Sequence, residues 1–155
     1  MASPARRPEE DLEVKVQEDL ARLEAYRNQL NALLQQHQIL SASRQDHLRA
    51  RESLEGIERT TPDSELLLPL GGETLVRGSI DRSSPVLIGV GSGVLVEMER
   101  PKASELLAQR MQQIDATLRD LEGQMNAIDE RIQILSRRLE SVARAAGGPS
   151  DVGGD

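Results

Sequence analysis

The chain has 155 residues, 26 of them acidic and 19 basic, for a formal charge of -7. It has no Cys, Trp or Phe, and Tyr26 is its one aromatic residue. That excludes disulfides, thiolate metal sites and cysteine nucleophiles, and it disfavours a compact enzyme, whose core ordinarily uses aromatic fillers. The negative charge also argues against broad nucleic-acid affinity.

Gly and Pro punctuation sets five segments: 1–11, 12–57, 58–100, 101–146 and 147–155. Residues 1–11 hold two Arg without an apolar run behind them, so they do not read as a signal peptide and are expected to be disordered. No apolar run approaches the roughly 18 residues of a membrane span, so a soluble, cytoplasmic protein is expected.

Residues 12–57 contain no proline and only Gly56, which predicts a helix. Its heptad frame puts Val16, Leu23, Leu30, His37, Arg44 and Arg51 at a, and Asp19, Tyr26, Leu33, Leu40, His47 and Leu54 at d. Leu20, Leu34 and Leu48 widen the stripe. The seam is apolar early and diluted by His and Arg later; polar seam residues lower stability but fix register and partner choice.

The insert, 58–100, predicts four strands: Glu65–Leu70, Thr74–Ile80, Pro85–Val90 and Gly93–Met98. Gly71-Gly72 and Gly91-Ser92 are hairpin-turn signals, because glycine enters left-handed backbone at little steric cost. Apolar residues fall on both faces of these strands, as expected where both faces are covered. Two isolated hairpins are marginal in water, so the insert is expected to be an interface completed by another chain. The competing reading is a small sheet folded back on the base of the helices. Candidate oligomerisation residues are Leu66, Leu68, Leu70, Val76, Ile80, Val86, Ile88, Val90, Val94 and Val96.

Residues 101–146 carry the cleanest repeat. Leu107, Met111, Ile114, Leu118, Leu121, Met125, Ile128, Ile132, Leu135, Leu139 and Val142 alternate steps of four and three, which predicts a left-handed coiled coil. Pro101 suits a first helical turn. Each helix has 46 residues, about 70 Å at about 1.5 Å per residue, so they can pair antiparallel within the chain or between chains. Residues 147–155 have linker composition and are expected to be disordered. The expected class is α+β: a long antiparallel coiled coil with two β-hairpins inserted between its helices.

Catalytic chemistry finds little support. Gly89-Val90-Gly91-Ser92-Gly93 superficially matches a phosphate loop, but the next glycine position is Val94 and no helix follows directly. His37 and His47 lie near one seam without a metal-ligand constellation. No catalytic residue, metal or cofactor is expected.

The strings LLLPLGGETLVRGSI (Leu66–Ile80) and VLIGVGSGVLVEM (Val86–Met98), set between two long helices, resemble the α-class subunits of prefoldin, a family of molecular chaperones. Pro69, Leu70, Gly71, Gly91, Gly93, Val94, Val96 and Glu97 carry the match, and two hairpins rather than one point to the α class. The resemblance covers about Leu12 to Val142. It implies a hexamer of two α and four β subunits, built on a shared β-barrel platform. Its coiled coils would grip non-native polypeptides without ATP and deliver them to a group II chaperonin. Leu12, Val14, Val16 and Leu20, with Leu135, Leu139 and Val142, are the candidate client-binding residues at the tips; Leu135 and Leu139 can instead simply close the coil. The other readings are a structural or adaptor coiled coil and a polymerase-channel factor. Hairpins placed between the helices count against the second.

Overall fold

The structure, a computed structural model, describes residues 7–62 and 64–148. The element order is α1 (Pro8–Arg59), β1 (Glu65–Gly71), β2 (Thr74–Ser79), β3 (Val86–Gly91), β4 (Val94–Met98) and α2 (Arg100–Ala146). Two long helices thus enclose two antiparallel hairpins, as the sequence predicts. The described residues fall into two compact units, one within Met1–Ile39 and Arg119–Asp155, the other Leu40–Leu118.

α1 starts four residues earlier than the punctuation suggests. The Asp11 amide donates to the Arg7 carbonyl (3.2 Å), which puts Pro8 at the first helical position, where a missing N–H costs nothing. Glu9, Glu10 and Asp11 then complement the positive end of the helix dipole. Residues 8–11, expected outside the helix, are therefore its first turn, while 1–6 lie outside the described residues. At its far end α1 closes with the Thr60 amide and hydroxyl both donating to the Ile57 carbonyl. α2 gains Arg100 and stops at Ala146, where the Gly147 amide donates to Ala143. Of the expected tail, Gly147 and Gly148 are non-helical and 149–155 lie outside the described residues.

In the first unit the helices run antiparallel, with Asp19 facing Arg138, Tyr26 under Arg131, and His37 facing Glu122. Leu23, Leu33, Leu121, Ile128 and Leu135 are buried between them, all at predicted seam positions. Leu20 and Leu34, expected to widen the stripe, stay exposed. A two-helix seam is too narrow to cover a position one step past d.

Gly123 sits in α2 with open space around its missing side chain. Nothing requires it, so Gly123→Ala is expected to stabilise the helix by about 0.5–1 kcal/mol. Thermal melting followed by circular dichroism should move up by a few degrees; an unchanged or lower midpoint would contradict the open-space reading.

In the second unit the polar seam residues find partners. Arg44 forks onto Asp115 of α2, Nε to one carboxylate oxygen and Nη2 to the other; this contact raises the Arg44 pKa further above its ordinary value. His47 donates from Nδ1 to the Ser43 carbonyl (2.7 Å). Arg51 lies 3.4 Å from Glu55, in an ion pair without hydrogen-bond geometry at its buried Nε.

The hairpins form two separate two-stranded sheets. Their turns are centred one residue later than predicted. Gly71 pairs with Thr74 and Gly91 with Val94, leaving the two-residue loops Gly72-Glu73 and Ser92-Gly93. All four loop residues have positive φ, the type I′ geometry that matches strand twist. Glu73 (φ 60°) and Ser92 (φ 50°) take it despite their side chains, at a cost of roughly 1–2 kcal/mol each. Gly71 and Gly91 serve instead in the bulge that precedes each turn, where φ is 97° and 110°.

Candidate functional site

Two surfaces remain apolar and open, one in each unit. In the second unit, the pairs Ile88↔Val96 and Val86↔Met98 share a face of β3–β4. Ile88 brings that face onto the helices in a buried cluster with Ala103 and Leu107, against which Leu54, Val86, Met98 and Leu106 pack. Ala103, at 0% exposure, lies in α2 within the same buried cluster as Ile88. Arg110 ties the same strand down by donating from Nη2 to the Gly89 carbonyl (2.8 Å).

The polar link between the hairpins is also tethered. Arg82 donates to the Glu58 carbonyl and Arg100 to the Asp81 carbonyl, both at 2.6 Å. The Ser83 hydroxyl and backbone N–H both donate to the Asp81 carboxylate and hold its pKa below the ordinary 3.8; Ser84 and the Arg100 charge add to this.

Of the residues assigned to oligomerisation, Ile88 is buried in this chain's own core, and Val86 packs against the same cluster. The fold-back reading therefore holds for one face of one hairpin. Leu66 and Ile80 are half-buried, while Leu68, Leu70, Val76, Val90, Val94 and Val96 are exposed.

Sequence reasoning missed the outward face. Leu67, Leu75, Leu87 and Leu95 are 62%, 56%, 62% and 62% exposed, more than most of the residues chosen. The usable signal was strand alternation: once Ile88 points at the helices, odd-numbered β3 residues point away.

The first unit carries a mainly apolar groove of about 510 Å³, lined by Leu12, Val16, Leu139, Val142, Ala143 and Ala146 together with Glu13 and Gln17. Four of the seven predicted client-binding residues thus meet in one place. Val14 and Leu20 are exposed without lining it, and Leu135 is buried in the seam.

Next to the groove, Asp19 occupies a seam position at 5% exposure. Its carboxylate accepts the charge of Arg138 at 3.2 Å, and Arg138 itself is about half exposed. A buried carboxylate stabilises less than a well-packed leucine, yet removing its partner strands a charge. Asp19→Leu should therefore raise the melting temperature by the equivalent of about 1–2 kcal/mol. Arg138→Met should lower it by about 1–3 kcal/mol; the opposite order would show that Asp19 is solvated rather than buried.

Two long helices enclosing two hairpins with exposed apolar residues define a helical coiled-coil subunit class. A prefoldin-subunit family profile matches residues 15–145, and the chain belongs to the prefoldin family. It is 26% identical over 134 residues to prefoldin subunit alpha of Methanocorpusculum labreanum, covering 84% of this chain and 91% of that one. To prefoldin subunit alpha of Methanoregula boonei it is 28% identical, covering 84% of each. Its fold is similar to a chain of filamentous PFD from Methanocaldococcus jannaschii (TM-score 0.64, 18% identity, covering 76% of this chain and 97% of that one). It is also similar to the prefoldin beta subunit of Thermococcus strain KS-1 (TM-score 0.57, 22% identity, covering 84% and 93%). The chain is thus a subunit of a chaperone family built on helical coiled coils. No helix among its described residues is long and apolar enough to cross a membrane.

Proposed function

We propose that this chain is the α subunit of a cytoplasmic, ATP-independent holding chaperone. In this reading its hairpins join those of prefoldin β subunits in a shared platform, with two α and four β subunits per hexamer. Its helices carry apolar tips that hold non-native polypeptides until a group II chaperonin receives them.

The observation that carries the holding role is the open groove lined by Leu12, Val16, Leu139 and Val142. Each apolar side chain buried there by a client contributes about 1.5–3 kcal/mol before ordering costs. Several arms on one platform add weak contacts through effective concentration. Aggregation of an unfolded client, followed by light scattering with and without a prefoldin β partner, tests the reading. Suppression by the co-assembled protein is expected. Co-assembly without suppression would reduce the chain to a structural adaptor.

A further inference from the structure

The two flanks of the helical seam in the first unit differ in charge. In an antiparallel pair, the positions just before each a residue share one edge of the coil, and those just after each d residue share the other. Opposite charges ordinarily meet along such edges. In α1 the residues before Val16, Leu23, Leu30 and His37 are Lys15, Arg22, Gln29 and Gln36. In α2 those before Met125, Ile132 and Leu139 are Gln124, Arg131 and Arg138. These positions hold four cations and no carboxylate. The acids Glu122 and Asp129 lie on the opposite edge, which has Arg27 as its cation.

The structure brings the cations of the first edge together. Arg22 and Arg131 line one hollow of about 220 Å³ with Tyr26, Ile134 and Leu135. Arg131 lies over the Tyr26 ring, 5.7 Å from its centroid, and among the described residues it has no ion pair. Arg22 has only Glu18, at 3.9 Å and with side chains 63% and 60% exposed; such a pair is readily exchanged. Arg138 is taken by Asp19, and Lys15 is exposed. Four cations thus face two carboxylates, on a chain whose formal charge is -7. Ile134, also exposed, adds an apolar patch beside Arg131. Like charges on neighbouring positions repel and weaken a helical pair; an anionic partner laid along the edge removes that repulsion.

We infer that this edge is a docking site for extended polypeptide in which acidic residues flank an apolar one. The carboxylates meet Arg22 and Arg131, in charge-assisted contacts that can be bidentate, and the apolar side chain meets Ile134. The same field turns basic stretches away. Nucleic acid is the poorer fit, because its bases bind by stacking on aromatic rings and the one ring here already lies under Arg131. The inference rests on the holding role proposed above and adds which client segments this chain selects. The groove accepts apolar side chains from any segment; the edge accepts acidic ones.

The test follows the anisotropy of labelled peptides on titration with the full chain at low salt. One short peptide has glutamates flanking each leucine, and its analogue has glutamine in place of every glutamate. The overall field of a negative chain opposes the glutamate peptide, so a preference for it reports a local cationic site. That peptide is expected to bind at least about tenfold tighter than its analogue, and the preference should vanish at about 1 M salt. Arg22→Gln with Arg131→Gln should abolish the preference at unchanged helix content, while Arg22→Lys with Arg131→Lys should keep most of it, because the charge remains. Arg22→Gln alone, which leaves the stack on Tyr26 in place, should lower it about threefold. Equal binding of the two peptides, a preference that survives the glutamine pair, a lysine pair as weak as the glutamine pair, or tighter binding of a thymidine strand of equal charge would each overturn the inference. Aggregation suppression with a prefoldin β partner is measured on the same preparations. Suppression without peptide preference sinks the edge and leaves the holding role; peptide preference without suppression does the reverse.

Discussion

Replacing Leu12, Val16, Leu139 and Val142 together by serine is expected to weaken suppression of client aggregation at least about tenfold while leaving assembly with partner subunits intact. These four side chains line one groove in the unit that lacks the hairpins. Losing about 1.5–3 kcal/mol of available apolar burial at each removes most of the binding energy from every arm that carries it. If several arms hold one client, as proposed above, the loss multiplies across them. At least tenfold more protein should then be needed for half-maximal suppression. Leu135 serves as the contrast. It is buried in the seam, so Leu135→Ala should cost about 2–5 kcal/mol of stability and impair holding only as the helices part. Full suppression by the four-serine protein, at unchanged helix content, would remove the groove from the mechanism.

The division between groove and seam shows what the sequence carries and where it stops. The heptad steps of residues 107–142 fix the buried stripe of α2, because side chains three and four apart necessarily share a helix face. The same spacing cannot tell Leu135 from Leu139. Both sit in the frame; only Leu135 lies where the facing helix covers it, while Leu139 lines the open end. Arg44 shows the complementary case. An arginine at an a position reads as a diluted seam, and its reason lies 71 residues away at Asp115, a distance no local pattern spans. In the insert, composition shows that both strand faces are apolar but not which face this chain covers for itself. That depends on Ala103, a residue unremarkable in sequence, being small enough for Ile88 to reach it. The turns slipped by one residue for a related reason. A Gly-Gly pair suggests that both glycines form the loop, yet the bulge before it claims the first, and Glu73 accepts left-handed backbone instead.

Enlarging Ala103 should undo the insert. Ala103→Leu adds three carbons at a site with 0% exposure, inside the cluster with Ile88 and Leu107. Overpacking of this kind costs about 1–3 kcal/mol, and the weaker partner yields. The helices are held to each other by Arg44–Asp115 and a long seam. β3–β4 is held mainly by Ile88 and the Arg110–Gly89 hydrogen bond. A hairpin without its support is marginal, so the expected outcome is release of β3–β4 with the helices unchanged. Helix content by circular dichroism should stay the same, while amide exchange across Val86–Met98 quickens and co-assembly with a prefoldin β partner weakens at least about tenfold. Ile88→Ala, which leaves a cavity instead of a clash and costs about 2–5 kcal/mol, should give the same pattern by the opposite route. Protected β3–β4 amides in both variants would mean that the hairpin keeps its place without this contact, and that the base of the helices does not organise the assembly surface.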